Sequence, residues 1–124
     1  MSLFPRTSLA LVLILAAAAI GATAGASGSS AGVTAARHCK SYQKGSTYIT
    51  TLRTRHASCK TGRRVAKAFN RCRHKHGRRG HCHHRVRHFK CHEHRGQSSP
   101  TQYDSSVNCK RGGKRVRFQY AQNT

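Results

Sequence analysis

The stretch Val107-Asn108-Cys109-Lys110-Arg111-Gly112-Gly113-Lys114-Arg115-Val116-Arg117-Phe118-Gln119-Tyr120 reads as two strands around a tight turn. Gly112-Gly113 supplies the positive φ angles that a two-residue hairpin turn demands. Around that turn Cys109 falls opposite Val116 and Val107 opposite Phe118, and Tyr120 continues the same face. Asn108, Arg115, Arg117 and Gln119 then point to solvent. Turn chemistry, register and apolar alternation agree, so the segment predicts a hairpin closing the fold.

Upstream, Tyr48-Ile49-Thr50-Thr51-Leu52-Arg53-Thr54 is rich in β-branched and aromatic residues and predicts a strand, with Tyr48, Thr50, Leu52 and Thr54 on one face. The period then changes. Cys59, Gly62, Val65/Ala66, Phe69 and Cys72 recur at three- to four-residue spacing, so a helix capped by Ser58 or Thr61 is expected to run to about Arg71. Its opposite face carries Lys60, Arg63, Arg64, Lys67 and Arg71, the composition of a solvated face. Arg73 to Arg85 holds almost only His, Arg, Lys and Gly and reads as an exposed loop tethered at Cys72 and Cys82. Val86 to His92 reads as a strand with Phe89 and Cys91 on one face, and Arg95 to Tyr103 as a loop around Pro100. One helix on a small antiparallel sheet ending in the C-terminal hairpin buries every apolar stripe in two layers, which makes the fold class α+β.

The expected core is thin. Between Arg37 and Thr124 the large apolar residues are few and Trp is absent. Domains of this size bury proportionally little surface and need staples. Cys39, Cys59, Cys72, Cys82, Cys91 and Cys109 provide them, since an even cysteine count in a short exported chain implies a disulfide framework. Six cysteines allow fifteen pairings, and the sequence does not choose among them.

Export is read from the other end of the chain. Arg6 precedes an apolar run from Leu9 to Ile20, followed by Ala22-Thr23-Ala24 and Ala24-Gly25-Ala26. A basic start, an apolar run of about 7–15 residues and an A-x-A site define a secretory signal peptide. The run is shorter than the roughly 20 residues that cross a bilayer, so no transmembrane anchor is expected. The reading is a signal peptide over 1–26, a flexible Gly/Ser/Ala leader over 27–36 and one disulfide-rich basic domain over 37–124, secreted from the cell.

At this point three segments resemble small secreted cysteine-containing α+β domains of actinobacteria. They are Ala57-Ser58-Cys59-Lys60-Thr61-Gly62-Arg63-Arg64-Val65-Ala66 with Phe69, the strand Phe89-Lys90-Cys91, and Cys109 through Arg111-Gly112 to Val116-Arg117-Phe118-Gln119-Tyr120. The likeness runs from about Tyr48 to Tyr120. Such domains are mostly uncharacterised, so the resemblance implies export, disulfides and an α+β fold and transfers no activity. Nothing in it maps onto the His-rich segment between Cys72 and Cys91.

Charge dominates the functional reading. The chain holds 24 Lys and Arg against two acids, Glu93 and Asp104, for a net charge of +22 before any of ten His is counted. Polyanions are the matching partners: cell-wall polymers, polysaccharide, nucleic acid or an anionic surface. The denser clusters are Arg78-Arg79, Arg85 with Arg87, and Lys110-Arg111 with Lys114-Arg115. No nucleic-acid motif occurs and the aromatics fall on inward positions, so no specific nucleic-acid sequence is expected to be read.

An alternative is metal binding. His81, His83, His84, His92 and His94 crowd near Cys82, Cys91 and Glu93, and imidazole binds Zn, Cu or Ni. Interleaved Lys and Arg repel a divalent cation, so weak binding is the expectation and no dedicated cofactor is assigned. The same imidazoles add charge on acidification, which predicts polyanion binding that tightens from about pH 8 to about pH 5.5. A cationic antimicrobial role needs an exposed apolar face beside the charge, and each apolar stripe is already used by the core. Two lone acids and no nucleophile or phosphate-loop motif leave no catalytic residues, and an enzyme is not expected.

Overall fold

In the computed structural model, which describes residues 35–124, the chain runs β1 (Arg37–Cys39), β2 (Tyr42–Lys44), β3 (Thr47–Arg55), α1 (Cys59–His74), β4 (Lys90–Ser98), β5 (Gln102–Arg111) and β6 (Lys114–Asn123). The expected signal peptide, and the leader as far as residue 34, lie outside the described residues. The strands form one antiparallel sheet in the order β1-β3-β6-β5-β4, and β2 pairs the same edge of β3 as β1, further along it. The helix packs on one face of this sheet. The α+β class, the helix-on-sheet arrangement and the C-terminal hairpin are borne out.

The hairpin has the predicted register, Cys109 opposite Val116 and Val107 opposite Phe118. Of the two turn glycines only Gly112 has a positive φ, +52°, the pattern of a type II′ turn. Val107, Cys109, Val116, Phe118 and Tyr120 point into the core, where Phe118 meets Phe69 of α1 edge to face with ring centroids 5.6 Å apart. Such aromatic pairs contribute about 0.5–1.5 kcal/mol beyond area burial.

The helix begins where the capping argument places it. Ser58 is the N-cap, its Oγ accepting a 3.1 Å hydrogen bond from the Thr61 backbone N–H. Gly62, Val65, Ala66 and Phe69 form the buried stripe. At Gly62 the helix packs tightly on β3: a Cβ added there would lie 2.7 Å from Thr54 Cγ2.

Strand β3 departs from strict alternation. Its register with β6 shifts between Ile49 and Thr51, so Thr47, Ile49, Leu52 and Thr54 are buried while Tyr48, Thr50 and Thr51 are exposed. The extra residue of a bulge reverses the facing of everything before it. Tyr48 and Thr50 therefore do not share the face of Leu52 and Thr54, as the sequence had suggested.

Two further segments differ from expectation. Val86 and Phe89 close a four-residue turn through mutual backbone hydrogen bonds of 3.0 and 2.8 Å, with Arg87 and His88 at φ +49° and +67°. The strand expected over Val86 to His92 therefore begins only at Lys90 and continues to Ser98. Arg95 to Tyr103 is largely strand, paired as a β4–β5 hairpin around Ser99-Pro100-Thr101.

All six cysteines are bridged, in sequential pairs: Cys39–Cys59, Cys72–Cys82 and Cys91–Cys109. The first fastens β1 to the start of α1, the second fastens the helix end to the segment after it, and the third joins directly opposed positions of β4 and β5. The helix is thus tied at both ends. No described helix is long and apolar enough to cross a membrane.

Candidate functional site

Strand alternation and register together decide where the cations lie. Residues opposed across antiparallel strands share a face, and same-face neighbours along a strand stand about 6.8 Å apart. On the face that α1 does not cover, one cross-strand row reads Arg55, Arg115, Lys110 and Lys90. The next reads His38, Arg53, Arg117, Asn108 and His92. A third carries Thr51, Gln119, Ser106 and His94. Neighbouring strands lie about 4.8 Å apart, so the first row together with Arg53 and Arg117 of the second forms a patch of positive charge, and the third row is polar. A depression of about 500 Å³ crosses it, lined by Thr51, Arg53, His92, His94, Asn108 and Arg117 among others. Of the two acids, Glu93 points to the helix side, and Asp104 lies on β5 two same-face steps beyond Asn108.

The cation clusters expected from sequence are divided by this geometry. Lys110 and Arg115 are a directly opposed pair on the open face. Arg111 has the opposite facing and lines a groove on the helix side with Arg64, Arg87 and His88, while its partner Lys114 sits at the turn. Arg85 is exposed in the segment before the Val86–Phe89 turn. Arg78 and Arg79 lie at the other end of the sheet. The Arg79 guanidinium donates to the carbonyls of Ser99 and Pro100 at 3.1 and 3.4 Å, so part of its hydrogen-bonding capacity is spent on the β4–β5 turn. Arg53, Arg55, Lys90 and Arg117, which no linear cluster singles out, complete the open face.

The histidines are likewise separated. His92 and His94 face out on β4, whereas Glu93 between them faces in. His81 contacts Glu93 from the helix side, Nδ1 to Oε2 at 3.1 Å, and its ring centroid is 5.9 Å from that of His83. His83 and His84 are exposed in the loop. Cys82 and Cys91 are consumed in disulfides. Among the described residues no three His, Cys, Asp or Glu side chains converge on a position that could hold a metal ion.

The segment after the helix is held by a buried polar network. Arg73, expected in an exposed loop, is 0 % exposed. It is the last buried position of the helical stripe, and its guanidinium lies 4.3 Å from the Tyr120 ring centroid. It donates to Tyr103 Oη (2.8 Å), the Arg78 carbonyl (3.0 Å), Thr47 Oγ1 (3.1 Å), Asn70 Oδ1 (2.9 Å) and Gln122 Oε1. Burial lowers its pKa, opposed by Tyr120 and Tyr103. The Tyr120 hydroxyl donates to Glu93, which also accepts from Ser105 Oγ at 3.1 Å and Arg95 Nε at 3.3 Å. Burial alone raises the Glu93 carboxyl, but the Tyr120 hydrogen bond, the Arg95 charge and the Ser105 hydroxyl outweigh it and hold the group below its ordinary value. Burial, followed by the hydrogen bond to Glu93, pushes the Tyr120 hydroxyl far up. Arg95 then donates to the Arg79 and Gly80 carbonyls at 2.8 and 2.7 Å. Two arginines and one disulfide thus pin a segment whose composition looks structureless.

Compared with known protein families, curated proteins and solved structures, the chain matches none. The fold and its charged faces define a small basic α+β domain stapled by three disulfides.

Proposed function

We propose that this protein is a secreted binding module, not an enzyme, that holds acidic polymers electrostatically on the open face of its sheet. The observation that carries the reading is the register that lines up Arg55, Arg115, Lys110 and Lys90 beside Arg53 and Arg117. Like charges directly opposed across strands destabilise a sheet, so an anion laid over them relieves repulsion that the fold otherwise bears. Three disulfides in a chain of this size support an oxidising compartment. Aromatic side chains are turned into the core and Tyr48 is the one large apolar residue left exposed among the described residues, which favours charge-based binding over base stacking.

The test is titration of the purified domain with heparin, and with a DNA duplex, at rising salt. Tight binding at low salt that weakens steeply as salt rises is expected from counterion release. Absence of binding at low salt removes the proposal.

A further inference from the structure

The helix side carries a second concentration of charge that the open face does not explain. Lys60, Arg64, Lys67 and Arg71 follow each other at three- and four-residue spacing and are exposed along one stripe of α1. Between this stripe and the β1 edge runs a groove of about 490 Å³, lined by Lys40, Lys60, Arg63, Arg64 and Lys67 with the Cys39–Cys59 bridge. No carboxylate lines it.

The groove is also organised. Arg63 and Lys67, one turn apart, are both held over the ring of Tyr42, at 5.9 and 5.8 Å from its centroid. Two cations one turn apart over one ring, with Lys67 exposed, suit an oxyanion that accepts from both.

We infer that this groove is a second, independent binding site for an acidic polysaccharide, so that one molecule bridges two polymer strands, one on each side of the sheet. The inference rests on the polyanion reading above. It assigns the helix cations a role beyond solvation. The occupant is a sugar polymer bearing sulfate, phosphate or carboxylate groups, because the groove offers charge and donors and no exposed aromatic face on which a base would stack.

Stoichiometry tests it. A heparin tetrasaccharide, too short to serve both faces at once, is titrated calorimetrically into the full domain at low salt. Two sites per molecule are expected, falling to one in Arg63→Gln/Lys67→Gln and to one in Arg53→Gln/Arg117→Gln. Lys60→Gln/Lys67→Gln, which alters only exposed side chains, guards against misfolding of the Arg63 variant and is expected to weaken the helix-side site at least tenfold. With long heparin chains carrying donor and acceptor dyes, the parent is expected to bring two chains together and each face variant to bind without doing so. A single site in the parent, an Arg63→Gln/Lys67→Gln variant that still fills two, or a Lys60→Gln/Lys67→Gln variant of unchanged affinity overturns the inference and leaves the polyanion reading standing; no binding at all removes both. Two sites for a short DNA strand, and one for the tetrasaccharide, would move the groove to nucleic acid and overturn the inference as stated.

Discussion

Arg53 and Arg117 stand directly opposite each other on β3 and β6, on the face of the sheet that no helix covers. Such a like-charge pair costs roughly 0.2–1 kcal/mol relative to a neutral one. Arg117→Thr is therefore expected to raise stability by a few tenths of a kcal/mol. Urea denaturation at low salt, compared with the same measurement at high salt, checks this: the gain should shrink as screening removes the repulsion.

Arg73 behaves in the opposite way. Its guanidinium satisfies Thr47, Asn70, Tyr103, Gln122 and the Arg78 carbonyl. Arg73→Met strips Asn70 Oδ1 of its Arg73 donor and removes one bond each at Thr47, Tyr103, Gln122 and the Arg78 carbonyl, though Tyr103 still donates to that carbonyl and Thr47 to Gln122, and a loss of about 3 kcal/mol is expected. Arg73→Lys should recover part of it, since a point charge replaces a planar fork. The denaturation midpoints of the two variants should differ clearly from each other.

Arg73 also marks what could be read from the chain alone. The β5–β6 hairpin and the capped helix were legible because turn glycines, alternation and the Ser58 cap are local signals. Arg73 was not, because within Arg71-Cys72-Arg73-His74-Lys75 nothing local distinguishes a buried cation from its exposed neighbours; its burial depends on Tyr120 and Gln122, far along the chain. The bulge after Ile49 was hidden for the same reason, being set by the pairing with β6. β1 and β2 are three-residue edge strands whose polar residues carry no alternation. The open-face cations needed register across four strands, and linear clustering picked out only Lys110 and Arg115 among them.

Glu93 predicts an acid limb of stability. Its carboxyl is held below its ordinary value in the folded state, so it contributes stability above the unfolded carboxylate range, about pH 4.3. That contribution is lost as pH falls through the lower folded value. Thermal denaturation between pH 7 and pH 3 is expected to show Glu93→Gln less stable than the parent at neutral pH, the two curves converging in acid. Parallel curves across the range would contradict the assignment.

The Cys72–Cys82 bridge closes a separation of 10 residues and is expected to contribute about 2.7 kcal/mol. In Cys72→Ser/Cys82→Ser the arginines of the loop remain tied only by hydrogen bonds, through the carbonyls of Arg78 and Arg79 and the Arg79 guanidinium. Trypsin should then cleave between Arg78 and Arg87 well before the remainder of the domain, at a rate several-fold above the parent.

The most direct measurement is the salt dependence of DNA-duplex binding for Arg53→Gln/Arg117→Gln beside Arg78→Gln/Arg79→Gln, which removes equal charge from the far end of the sheet. Each phosphate contact contributes about 0.9 to the slope of log affinity against log salt. The open-face variant is predicted to lose about 2 from that slope and bind more weakly, with the Arg78/Arg79 variant close to the parent. Equal losses in both variants would contradict the claim, showing that net charge, and not the arrangement on the sheet, governs binding.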